Sequence, residues 1–243
     1  ITDSSITNTN GGVSVAAHNT ASLEASALNA VTTGGTGVGV TLAFNTIGWK
    51  PQNILFNTVD AIIGDPAISS AFNGEVASGA SAFIHDSVVS ASGVVNVSAT
   101  AGADISSTVK NQAAASASGF GSANGTSFGL VVAQNKVSGK ADAHIDYSDT
   151  YTGANTVHGG NGLSVVATDS ASITATISLD TSAASGTGSN PFGSASALGV
   201  SGAVSMNDVR GGATAFIDGA TVTAAGGTIS VSTRCCTMCA LKR

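Results

Sequence analysis

Residues 131–146, VVAQNKVSGKADAHID, bring an amide, two lysines, two aspartates and a histidine together in a chain that is only 9% charged. Asp142, His144 and Asp146 alternate with small or apolar residues, so in an extended strand they share one face. At about 3.3 Å per residue, Asp142 and Asp146 would stand about 13 Å apart, beyond the roughly 5–9.5 Å that separates glycosidase carboxylates. A single strand therefore offers no catalytic carboxylate pair.

A carboxylate pair becomes feasible between neighbouring strands. Asp218 aligns with Asp146 in a second copy of the same pattern, and adjacent strands would place the two about 4.8 Å apart. Two carboxylates that close raise the pKa of one of them, which permits an acid and a base. His144 would assist, and Tyr147 and Tyr151 could hold a sugar ring. The alternative hypothesis is that each aspartate caps a bend and belongs to the scaffold.

The same stretch recurs along the chain. Aligning Asn135 with Asn207, an offset of 72 (207 − 135), needs no gap. The matched pairs are Val132/Val204, Val137/Val209, Ala141/Ala213, Ala143/Ala215, Ile145/Ile217 and Asp146/Asp218. A third copy, GASAFIHDSVV, follows the Ala-x-Ala-x-Ile pattern 61 residues earlier, since Ala80 corresponds to Ala141 (141 − 80). The opening stretch is therefore part of a repeat.

Each copy is followed by a further alternating strand, which begins V-S-V, V-N-V, L-S-V or I-S-V. Alternation of apolar and polar residues predicts strands, and recurring apolar positions let successive modules stack on each other. The sequence therefore predicts an all-β fold, a β-solenoid of the parallel β-helix type. It forms one domain of three to four imperfect modules over residues 1–233, with Ala141, Ala143 and Ile145 facing inward. The number of turns per module stays open.

Asparagine recurs at one position of the module, at Asn45, Asn135 and Asn207. Stacked amides can hydrogen-bond along a solenoid, as in the Asn ladders of cross-β stacks. We predict such a ladder; the alternative is that each asparagine only favours a turn.

Two segments depart from the repeat. Residues 48–79 form an insertion with the single Trp, and apolar residues at helical spacing predict a short amphipathic helix within residues 48–72. It would cover a flank of the solenoid or act as a lid over a groove. The tail, residues 234–243, holds all three cysteines in RCCTMCALKR. Structural zinc needs four ligands, and the histidines lie elsewhere, so we expect no metal and no cofactor. We interpret this tail as foreign or frame-shifted.

Composition excludes several classes of function. A net charge of −6 makes a nucleic-acid partner unlikely to bind, because phosphates require a basic patch. No apolar run approaches the roughly 18 residues of a membrane span. Few charges and many small and β-branched residues are unlike disordered chains. Because Ile1 begins within a motif, we expect a fragment of a longer protein.

The pattern G-V-x-V-A-x-N-x-V, A-x-I-D, G-x-V-x-V-x-A resembles the repeats of very large bacterial surface proteins, described as β-strand-repeat, haemagglutinin-like or LEPR-XLL-type adhesins. The resemblance covers nearly all of residues 1–233. It implies export to the bacterial surface, an extracellular stalk, glycans or cell-surface ligands as partners, and no intrinsic catalysis. The rival function is a glycan-acting hydrolase or lyase that uses Asp146, Asp218 and His144. Ligand, oligomeric state and parent length stay open.

Overall fold

The structure is a computed structural model that describes residues 1–49, 75–120, 122–188, 192–235 and 238–242. All of the regular structure in these residues is β-strand, which confirms the all-β prediction. The helical insertion predicted within residues 48–72 is not found in the described part of the chain. Gly48 and Trp49 are not helical, and the rest of that segment lies outside the described residues.

The described residues form fifteen strands, numbered in chain order. They are β1 (Ser5–Asn8), β2 (Val13–Thr33), β3 (Thr36–Ile47), β4 (Ser78–His85), β5 (Val88–Ala91), β6 (Val95–Ser118), β7 (Ser122–Asp146), β8 (Thr156–Gly159), β9 (Leu163–Asp169), β10 (Ser172–Gly186), β11 (Ser194–Arg210), β12 (Ala213–Asp218), β13 (Thr221–Ala224), β14 (Ile229–Cys235) and β15 (Met238–Lys242).

The strands form three sets in which every ladder is parallel. The base sheet has the order β1-β5-β8-β13. The front sheet contains β2, β6, β9 with β10, and β14 with β15, while the back sheet contains β3 with β4, β7, and β11 with β12. The chain passes from base to front to back and then repeats this path. Each module therefore adds one layer to each sheet.

Each module makes one wide turn, the point that the sequence left open. β6 has 24 residues and β7 has 25, and only residues 119–121 separate them. At about 3.3 Å per residue, each strand spans about 80 Å. Alternating residues support strands of this length because nothing in the pattern marks a bend.

The insertion interrupts one back strand of the first module. β3 pairs with β7 as far as Ile47 and Val137, and β4 resumes the pairing at Ser78 and Gly139. Only Ser138 of β7 lies between these two ladders. β7 continues through the gap, which keeps β3 and β4 in register on either side of it.

The core lies between front and back sheets and follows the predicted alternation. Ala141, Ala143 and Ile145 are completely buried, which confirms their inward orientation. The buried apolar residues form three clusters along the turn, and the largest lies next to the base sheet. Small side chains dominate them, because long parallel strands that face each other leave a thin interior.

Polar side chains bridge the two sheets between and beyond these clusters. Asn111 is 1% exposed and donates from Nδ2 to the carbonyls of Gly39 and Leu130, both at 2.9 Å. A Cβ on Gly39 would lie 2.6 Å from Asn111 Oδ1, so glycine permits this approach. These bonds satisfy amide groups whose burial would otherwise cost stability.

The tail follows the sheet more closely than its sequence suggests. β14 continues through Arg234 to Cys235, and β15 pairs in parallel with β10, with Cys239 opposite Ile173. The backbone of residues 238–242 thus occupies the next layer of the front sheet. Parallel pairing needs only backbone groups, so a tail of unrelated sequence can still extend the sheet.

Candidate functional site

The outward side chains of β4, β7 and β12 form a surface that we call the outer grid. It arises because Ala-x-Ala-x-Ile turns its small and apolar residues inward and therefore turns every intervening residue outward. Register aligns these residues in three columns across the strands: Ser81, Asp142 and Thr214; Phe83, His144 and Phe216; His85, Asp146 and Asp218.

The central column is a stack of three rings. The His144 ring lies 5.3 Å from the Phe83 ring with an interplanar angle of 8°, and 4.8 Å from the Phe216 ring with an angle of 2°. Both ring faces of His144 are therefore covered. Its Nδ1 lies 3.2 Å from Asp142 Oδ1, which leaves the ring edge as its polar contact. The stack fixes the imidazole more firmly than an acid–base group in an open site requires.

Asp146 is held by histidines on two sides. Its Oδ2 lies 2.9 Å from His85 Nδ1, and its Oδ1 lies 3.7 Å from His144 Nε2 without a hydrogen-bond partner. The hydrogen bond with Asp146 raises the pKa of His85, against a smaller opposing effect of desolvation. Sequence reasoning missed His85, although its position, 61 residues before Asp146, is the offset of the third copy.

Asp86 continues this chain of acidic and basic groups. Its Oδ2 lies 3.3 Å from His85 Nε2, and its backbone has a φ of 46°. Burial alone would raise the pKa of Asp86, but hydrogen bonds from the backbone N–H and hydroxyl of Ser148 outweigh it, so the pKa is lowered. The ionised carboxylate therefore fixes the turn that follows β4.

Asp218 occupies the position in β12 that pairs with Asp146. Parallel neighbours lie about 4.8 Å apart, so the two residues that the sequence paired do share a column. Asp146 nevertheless contacts His85 and His144, and no hydrogen bond joins it to Asp218 among the described residues. The column brings together a histidine and two aspartates in the order His85, Asp146, Asp218.

The two tyrosines assigned to sugar binding lie elsewhere. Tyr147 is 8% exposed and belongs to the core, where its hydroxyl donates to the carbonyl of Ser87. Burial raises the pKa of Tyr147 to about 12. Tyr151 packs beside it, with ring centroids 5.2 Å apart. Tyr147 follows Ile145 by two positions, so alternation directs it inward, away from the outer grid.

The three predicted asparagines form a hydrogen-bonded row inside the core. Asn45 donates from Nδ2 to Asn135 Oδ1 at 2.8 Å, and Asn135 donates from Nδ2 to Asn207 Oδ1, also at 2.8 Å. Asn135 is completely buried, and Asn45 also donates to Ser107 Oγ of the facing sheet at 3.1 Å. The row therefore links successive layers and ties the back sheet to the front sheet.

A second polar cluster, which sequence reasoning missed, lies where the insertion leaves and rejoins the back sheet. The Trp49 ring lies 4.3 Å from Lys136 Nζ and 4.8 Å from the guanidinium of Arg210. Arg210 and the Ser138 hydroxyl each donate to Glu75 at 2.6 Å. The hydrogen bond from Ser138 lowers the pKa of Glu75, whereas burial lowers that of Lys136.

This cluster closes the insertion at its base. Trp49 and Glu75 form an antiparallel bridge, and the N–H of Val76 donates to the carbonyl of Gly48 at 3.0 Å. An open depression of about 220 Å³ beside it is lined by Glu75, Ser138, Arg210 and their neighbours. Because the charged groups pair with each other, we assign the cluster to anchoring the insertion.

Asp169 is a buried carboxylate that spans the core between β9 and the back sheet. It is completely buried, and its Oδ2 accepts from the N–H of Gly212 at 3.1 Å, while Oδ1 has no partner. A Cβ on Gly139 would lie 2.3 Å from Oδ1, so only glycine fits there. Burial raises the pKa of Asp169, although hydrogen bonds from Gly212 and Ser170 oppose it.

Neither a metal centre nor a helical membrane span is found in the described part of the chain. It contains no group of three or more His, Cys, Asp or Glu side chains placed to hold a metal ion. It also contains no helix of the length and apolarity that crossing a membrane requires. No family model, no curated protein and no solved structure matches this chain.

Proposed function

We propose that the three parallel sheets close into a β-solenoid that serves as a structural and adhesive segment of an exported bacterial surface protein. The observation that carries this proposal is the register of like side chains through successive layers, seen in the row Asn45, Asn135 and Asn207. Repeated layers of this kind give a scaffold whose stability is a sum over neighbouring modules. Its location at the bacterial surface rests on the resemblance of the repeats.

The outer grid is the adhesive surface in this proposal. It displays carboxylates, histidines and phenylalanine edges in columns on a sheet that the core holds rigid. Asp142, His144 and Asp146 are partly exposed and held by mutual contacts, so a ligand would meet fixed groups. Glycans and other polar cell-surface ligands suit such an array, because bound hydroxyl groups can replace water on carboxylate and imidazole edges.

One observation favours the rival function, a glycan-acting hydrolase or lyase. Asp146 and Asp218 share a column at about the separation of a retaining carboxylate pair. The contacts of Asp146 with His85 and His144 favour the scaffold instead, because an acid–base carboxylate must be able to reach its substrate.

One experiment distinguishes the two functions. The purified chain is assayed against chromogenic glycosides and acidic polysaccharides, and its retention on bacterial and host cells and on immobilised glycans is measured in parallel. We expect binding without turnover. Turnover that Asp146→Asn abolishes and the neighbouring Asp142→Asn retains would replace the scaffold with the enzyme, and absence of both turnover and binding would contradict the adhesive part.

A further inference from the structure

The layers end unevenly at the C-terminal side of the stack. Within the described residues, the front sheet has four layers, of which β14 and β15 are the last, whereas the back sheet has three and ends at β11 and β12. The base sheet also has four layers, ending at β13. One strand position in the back sheet, opposite β14, is therefore vacant.

Core-facing side chains next to this position are exposed. Ile229 and Val231 of β14 are 46% and 45% exposed, whereas their counterparts one layer below, Leu163 and Val165, are 1% and 0% exposed. Two apolar side chains that point into the core thus lack the facing strand that covers this row in the layer below.

The opposite end of the stack provides an internal control. Val13 and Val15 of β2 occupy the same row in the first layer, where one neighbouring layer is also missing. That layer has its back strand, and both residues are half-buried rather than exposed. The greater exposure of Ile229 and Val231 therefore follows from the missing back strand and not from the end of the stack alone.

The asparagine row also ends with an open donor. Each amide donates to the next layer, from Asn45 to Asn135 and from Asn135 to Asn207. The Nδ2 of Asn207 donates to no residue in the described part of the chain. An amide oxygen in the vacant position would continue the row in the same direction. β11 and β12 also present the unpaired backbone groups of an edge.

We propose that the edge formed by β11 and β12 accepts one extended strand from another polypeptide chain, by parallel β-augmentation. The strand carries the back-sheet pattern of this protein, with small or apolar residues at alternate positions and an asparagine opposite Asn207. Main-chain hydrogen bonds provide affinity and the alternating side chains provide specificity. The core-facing row of the strand covers Ile229 and Val231.

A single strand fits this position better than a second folded copy. A folded copy that placed its first back strand on β11 would bring its own β2 to the level that β14 already occupies. The inference rests on the proposed closure of the sheets into a solenoid, and it adds the class of partner that the open end recognises.

The test uses the whole chain and a fluorescein-labelled peptide of residues 129–146, followed by fluorescence anisotropy. We expect saturable binding. A peptide with Val137→Pro and Ser138→Pro loses two consecutive backbone N–H groups, one of which faces the edge, and should bind at least about tenfold more weakly. Saturable binding that is equal for both peptides, or absent for the unmodified one, overturns the proposal.

Two chain variants locate the site. Val231→Lys places a charge in the row that the strand must cover and should weaken binding at least about tenfold, whereas Ser230→Lys on the opposite face should leave binding unchanged. Both positions are exposed, so both variants should fold. Equal binding by the two variants overturns the proposed position, and dimerisation of the chain alone that blocks the peptide assigns the edge to a second copy. Glycan turnover, the outcome that would refute the scaffold, is measured separately and does not depend on this result.

Discussion

The inward and outward rows of β7 differ in what determines them, although they alternate along one strand. Ala143 faces inward, is completely buried and is defined by the facing sheet. His144, its neighbour in sequence, faces outward and is defined by the rings of Phe83 and Phe216 in adjacent layers. Inward residues therefore depend on packing across the core, and outward residues on stacking between modules. Substitutions in the two rows should differ in their effect on stability.

The largest effect is expected for Ala143→Glu. The new carboxylate would be buried in a core of small side chains with no partner, so we expect a loss of about 3–5 kcal/mol in the free energy of unfolding or failure to fold. Thermal and urea unfolding measure it. Thr214→Glu, which introduces the same side chain on the outer grid, should cost less than about 1 kcal/mol. Equal losses would mean that the two rows are not distinct.

Asn135→Ala should follow in size. It removes two amide hydrogen bonds in a fully buried position and leaves Asn45 and Asn207 without a partner, so we expect a loss of about 1–3 kcal/mol. Asn207→Ala, at the end of the row, should cost less because it removes one bond. Chemical denaturation compares both with the exposed Asn10→Ala, and a loss at Asn135 no larger than at Asn10 would reduce the row to a turn preference.

Asp169→Asn should stabilise the chain at neutral pH. The folded-state pKa of Asp169 is raised, so its contribution to stability is fully present below the unfolded value near 3.8 and is lost as the pH rises through the folded value. The amide keeps an acceptor for the Gly212 N–H without a buried charge. We expect Tm to rise by roughly 2–4 °C at pH 7 and to differ little near pH 3.5. A lower Tm at pH 7 would indicate that the charge itself is needed.

The smallest effect is expected at the surface pair of His85 and Asp146. Because the folded-state pKa of His85 is raised, the stabilisation is present below its unfolded value near 6.5 and is lost as the pH rises through the folded value. Asp146→Asn should lower the pKa of His85, which NMR titration of the imidazole measures directly, and should flatten the change in Tm between pH 6 and 8. Asp142→Asn is the control, and a His85 pKa unchanged by Asp146→Asn would remove the pair.

Sequence reasoning predicts the inward rows well because alternation is a local property. Ala141, Ala143 and Ile145 could be assigned from a few residues, and the same rule applied to Tyr147 would have placed it in the core. The partners of outward residues depend instead on how far apart successive layers lie along the chain. His85 and Asp146 meet at an offset of 61 residues, whereas Asp146 and Asp218 meet at 72.

Other features require knowledge of the facing sheet. Asp169 has an ordinary polar position in the sequence, and its burial follows from contact with Gly212 and Gly139 on strands that are distant in the chain. The width of the turn was also beyond prediction, since alternation continues through β6 and β7 without a signal for a bend. Local pattern thus determines which face a residue occupies, and the path of the chain determines its neighbours.

The interruption between β3 and β4 makes the length of a module independent of its stacking. Thirty residues, 48–77, leave the back sheet opposite the single residue Ser138, while β7 keeps both halves of the interrupted strand in register. A segment can therefore lengthen, shorten or be exchanged at this point without shifting any row of the core. The position between Ile47 and Ser78 is a graft point, at which a stack of otherwise uniform layers can carry a different decoration on each one.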